Sequence, residues 1–262
     1  MFGKEFLENL YSQALDDTNK YTIRRTRLHV AIMNNDTTTF DALMNNPSLN
    51  VNTKDDFGRT PLHTAAMFGR YDMANALWRR GALSNTRDGD GFTPLHNAVN
   101  PIALELTPNH VKIAQSILQK GVSPSMQSHC GYTPLIYMGK YLNAETISPE
   151  RASLMYQLAI LLINHGAKPD EKATNITGPD RKVRWFDSNQ LEVDEENALT
   201  WALHLKLEPI VELFMPHMPF GDEAITQTVD QLQGLSIKCD GKRQCRRDDA
   251  SDGAPNEYKA SI

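Results

Sequence analysis

DDFGRTPLHTAAMFGRYDMANALWRRGALS, residues 55–84, reads as a turn, two short helices and a stop. Gly58 lets the chain turn. Thr60 offers an oxygen to the unpaired N–H groups of a helix start. Pro61 then fills the first helical position, where a missing N–H costs nothing. Gly81 suits the left-handed residue that closes a helix.

The same signals recur outward from this unit. Thr60-Pro61-Leu62-His63 returns 33 residues later as Thr93-Pro94-Leu95-His96, and 40 residues after that as Thr133-Pro134-Leu135-Ile136. Thr26-Arg27-Leu28-His29 upstream and Asn197-Ala198-Leu199-Thr200 downstream are weaker copies. Gly81, Gly121 and Gly166 close successive units. The second helices carry apolar pairs four apart on one face: Met73/Leu77, Ile113/Ile117, Leu158/Leu162 and Ile210/Phe214. No such pair buries itself alone, so the units must stack and the ends must be capped.

These residues resemble the ankyrin repeat, most closely over Asp55–Ser84 and more loosely over about Thr26–Met218. The resemblance implies an all-α ankyrin-repeat solenoid of about five helix-turn-helix units with short hairpin turns and helical end caps. The expected organisation is a capping helix over 1–24 and repeats over 25–218. A second capping helix over 219–237 and a flexible polar tail over 238–262 follow. Extra residues fall near 101–109, 141–150 and 167–196. The first two lie between the helices of a unit, and Ser148-Pro149-Glu150 restarts a helix. His63 and His96 are expected to hydrogen-bond to the turn and the cap threonine.

Composition narrows the function. The chain has 262 residues, is 40% hydrophobic and 23% charged, and has a formal net charge of -5. That balance argues against a nucleic-acid partner. The best apolar run, Leu158–Ile163, falls far short of the roughly 18 residues of a membrane helix. The N-terminus shows no secretory signal. Three cysteines, Cys130, Cys239 and Cys245, make no disulfide framework and suit a reducing, cytosol-like setting. No phosphate loop or zinc motif is present, no metal or cofactor is expected, and a monomer is expected.

Ankyrin arrays bind through turn tips and the exposed side of their first helices. On this chain the resemblance implies a protein-binding face of Asp56, Phe57, Arg59, Met67, Phe68, Arg80, Asp90, Phe92, His129 and Tyr132. The rings among them either anchor a partner or pack over adjacent turns within the stack. Arg181, Arg184 and Trp185 form a second candidate, set against a loop that folds down through Trp185 and leaves its charges in water. A non-catalytic, protein-binding role is expected. The alternative is an enzyme or modifying effector built from the 167–196 loop and the C-terminal cysteines. The insertions and paired asparagines are similar in style to ankyrin proteins that intracellular bacteria deliver into host cells. The expected location is therefore cytoplasmic, or host cytoplasm if the chain is such an effector.

Overall fold

A computed structural model describes residues 25–99, 106–139, 147–173 and 197–217, together with strands 237–240 and 244–247. The capping helix expected over 1–24, most of that expected over 219–237, and Arg181, Arg184 and Trp185 lie outside the described residues. So do 100–105, 140–146 and 174–196.

Ten α-helices are described, and they form five consecutive pairs. The first pair is α1 (Arg27–Met33) with α2 (Thr37–Met44). Next come α3 (Pro61–Met67) with α4 (Tyr71–Arg79), and α5 (Pro94–Val99) with α6 (Pro108–Gln119). Then follow α7 (Pro134–Gly139) with α8 (Pro149–Asn164), and α9 (Ala198–His204) with α10 (Glu208–Phe214). A 3-10 turn, Met215–His217, ends the last pair. The first helices stack in the order α1, α3, α5, α7, α9, and α4, α6, α8 and α10 stack behind them. Both helices of each pair feed the interior, the first through residues such as Leu62, Leu95, Leu135 and Trp201 and the second through Leu77, Ile113, Leu158 and Phe214.

Local chemistry starts each first helix where expected. Thr26 and Asn197 accept from the backbone three residues on, and Thr133 Oγ1 accepts from Ile136 N at 3.3 Å. Ser148 caps α8 in the same way. All four apolar pairs of the second helices are buried. Gly81, Gly121 and Gly166 have φ of 83°, 79° and 96°. The turn between the helices of a unit also needs a left-handed residue. Gly69 fills it in the second unit, but Asn35 (φ 53°) and Lys206 (φ 54°) stand at the same offset in the first and fifth.

Trp201 makes a large contact between the last pair and the stack. Trp201 is fully buried, and its indole N–H donates to the Leu135 carbonyl at 3.0 Å. The indole lies against Gly139, where a Cβ would fall 2.2 Å from Trp201 Cδ2. Only glycine admits the ring so close to the α7 backbone.

Two features differ from the sequence reading. The insertion read near 101–109 ends earlier: Thr107 caps α6 and Pro108 begins it. Across the boundary between the segment read as a capping helix (219–237) and that read as a flexible polar tail (238–262), β1 (Ile237–Asp240) pairs antiparallel with β2 (Gln244–Arg247).

Candidate partner-binding surface

Three turns precede α3, α5 and α7, and they are built alike. The N–H of Asp55, Asp88 and Ser128 donates to the carbonyl of Arg59, Phe92 and Tyr132, each at 2.9 Å. The first side chain of each turn also ties it down. Asp55 Oδ1 accepts from Phe57 N and Arg59 N, Asp88 Oδ1 from Asp90 N and Phe92 N, and Ser128 Oγ from Tyr132 N. Burial, with the nearby Asp90 adding to it, raises the Asp88 carboxyl above the usual range against the pull of those N–H groups.

The turns are then tied to one another. Gly89 N donates to the Phe57 carbonyl at 2.7 Å and His129 N to the Asp90 carbonyl at 2.9 Å. Gly58 has φ +74°, and a Cβ there would meet Gly89 N at 2.8 Å, so a larger residue would break this rung. Side chains just before the turns add a second row. Lys54 Nζ donates to the Arg87 carbonyl at 2.9 Å, and Arg87 Nη1 donates to the Gln127 carbonyl.

Buried histidines form a third row beneath. His29, His63 and His96 place Nε2 at 3.0, 3.2 and 2.9 Å from the carbonyls of Arg59, Phe92 and Tyr132, each in the next turn. A carbonyl only accepts, so Nε2 carries the proton. The N–H of Thr60 and Thr93 donates to Nδ1 at 3.1 Å, which leaves that nitrogen bare. Both imidazoles are therefore neutral, and burial pushes each down to about 4. His29 is lowered for the same reason.

A fourth histidine of this kind was missed by the sequence reading. Thr107-Pro108-Asn109-His110 repeats the Thr-Pro-x-His pattern at the start of a second helix. Thr107 N donates to His110 Nδ1 at 3.1 Å, and His110 Nε2 lies 3.2 Å from the Met67 carbonyl of the preceding unit. The tetrapeptide was legible, but it stood beside an insertion rather than at the repeat spacing.

The candidate residues separate by position in the turn. Asp56, Phe57, Asp90 and His129 are exposed at the tips. Phe57 is 46% exposed, and the Arg59 guanidinium sits 4.6 Å from its ring centre. Arg59 is also paired with Asp55 at 2.8 Å, so its charge is held in place. Met67 and Phe68 are half-buried at the far end of α3, a seven-residue helix about 10 Å long.

Phe92 and Tyr132 take the inward place instead. Tyr132 is buried, and the Phe92 ring is 4.5 Å from that of Tyr137 and 5.4 Å from that of His96. These rings follow the internal-packing alternative. Arg80 stands apart from the turns: its guanidinium donates to the carbonyls of Met44, Asn46 and Pro47 and braces two second helices. Among the described residues no group of three or more His, Cys, Asp or Glu is arranged to hold a metal ion, and no helix is long and apolar enough to cross a membrane.

Residues 28–128 match the family model for ankyrin repeats, in three copies. A comparison with curated proteins gave no match.

Proposed function

We propose that this chain, an ankyrin-repeat protein over residues 28–128, is a scaffold that holds a partner protein on the ridge of its turn tips and first helices. The observation that carries the reading is Phe57: a large apolar ring, 46% exposed, with a fixed cation over its face. Asp56, Asp90 and His129 stand exposed at the tips of the same row of turns. Three rows of hydrogen bonds already order this ridge, so little conformational entropy remains to be lost on binding. An aromatic anchor with a polar rim is the usual energetic pattern of a protein interface.

Five described helix pairs support the finer reading of five ankyrin-type units over residues 25–218. Arg181, Arg184 and Trp185 remain a second proposed contact on sequence grounds alone. A monomeric state and a cytoplasmic location also belong to the proposal, and light scattering checks the first. Delivery into a host cell draws no support from the fold and is left out.

Partners captured on the wild-type chain and then purified provide the test. Phe57→Ala should weaken binding of a purified partner by about tenfold or more, the loss expected of an anchor residue. Cys239→Ala should leave it unchanged. Phe57 is exposed, so its loss should not alter the thermal midpoint. An unchanged affinity in Phe57→Ala with a loss in Cys239→Ala would overturn the reading and favour the enzyme alternative.

A further inference from the structure

Strands β1 and β2 set Ile237 opposite Arg247, Lys238 opposite Arg246, Cys239 opposite Cys245 and Asp240 opposite Gln244. Gly241-Lys242-Arg243 joins them. A two-stranded ribbon is marginal in water by itself. This one also places two cations, Lys238 and Arg246, on one rung, which is destabilising. Successive residues alternate between faces, so the two cysteines share the next rung on the other face. Directly opposed residues of an antiparallel pair have Cα atoms about 4.5–5.5 Å apart, inside the roughly 4.4–6.8 Å that a disulfide spans. The second strand lies beside the 3-10 turn Met215–His217, where the last helix pair ends.

We propose that Cys239 and Cys245 are a redox-responsive modification site that closes into one cross-strand disulfide and locks this ribbon. The oxidant is a small-molecule disulfide such as oxidised glutathione. The thiolate of one cysteine attacks a glutathione sulfur, the S–S bond breaks, and one glutathione thiolate leaves and takes up a proton. The thiolate of the second cysteine attacks the protein sulfur of that mixed disulfide and expels the second glutathione. Two protein thiols lose two electrons, and one glutathione disulfide becomes two thiols. The strands carry Lys238, Arg246 and Arg247, cations that attract the anionic reagent. Cys130 is different: it is an exposed, free thiol on the Ser128 turn, and the same reagent leaves it as a mixed disulfide.

The full chain carrying Cys130→Ser is equilibrated with a glutathione redox buffer, quenched with acid, alkylated and measured by intact mass and peptide mapping. The expected product is two hydrogens lighter than the reduced chain, with the peptides of Cys239 and Cys245 linked. A second variant, Cys130→Ser with Cys245→Ser and Arg246→Cys, keeps nearly the same loop but moves one thiol to the opposite face. Its ratio of linked product to glutathione adduct should fall about tenfold, since a one-residue shift reverses the face. Glutathione adducts dominating the first chain, or equal ratios in the two chains, would overturn the proposal. Neither mass measurement involves partner binding, so failure here leaves the ridge of turns untouched.

Discussion

Lowering the pH from about 7 to about 4.5 should remove about 5 kcal/mol of stability through two side chains, His63 and His96. Each accepts a backbone N–H at Nδ1 and donates from Nε2 to the next turn. A proton added at Nδ1 sets two donors against each other in a dry site. The folded imidazoles sit at about 4, against 6.5 for an ordinary one. The unfolded chain therefore takes up protons first. Stability from these groups is complete above pH about 6.5 and drains away as the pH falls towards about 4. At pH about 4.5 the unfolded histidines are protonated and the folded ones mostly are not, so each contributes a loss of about 2–3 kcal/mol. His29 and His110 are also lowered by burial and add in the same direction. Urea midpoints of the wild type and of His63→Gln/His96→Gln, measured across this range, provide the assay. Glutamine keeps a donor and an acceptor but does not titrate, so the carboxylates cancel in the difference. The double variant should lose about 1 kcal/mol per site at pH 7 and fall much less steeply in acid. Parallel slopes for the two proteins would refute the reasoning.

Gly139→Ala should cost about 3 kcal/mol, since the added carbon meets a buried indole that has no free space to enter; a urea midpoint within error of the wild type would contradict the packing of α9 on α7. Lys206→Gly should raise stability by up to about 1 kcal/mol, because the left-handed backbone at an exposed lysine is strained and glycine relieves it. Thermal unfolding checks this, and an unchanged or lower midpoint would count against it.

The helix starts beneath the turns were legible in advance. Thr60, Pro61 and His63 announce a capped helix through local chemistry alone, and their recurrence at a spacing of 33 announces a stack. The same logic reached the hydrogen bonds of His63 and His96 to a turn carbonyl and to the cap threonine. Arg80 was misplaced among the tips because its carbonyl partners lie more than 30 residues away. His110 was overlooked because its motif opens a second helix.

The sequence by itself determined where helices start and stop and that they must pair, because caps, prolines and apolar spacing act over a few residues. Only the tertiary structure decided which rings face outward. Phe57 stands three residues before Thr60 at a turn tip, and Phe92 one residue before Thr93 at the foot of the next turn. Phe92 meets Tyr137 and His96, whereas Phe57 is 46% exposed with the Arg59 guanidinium over its ring. Place in the turn aims each ring, and what the next unit lays over it is set by stacking rather than by adjacent residues.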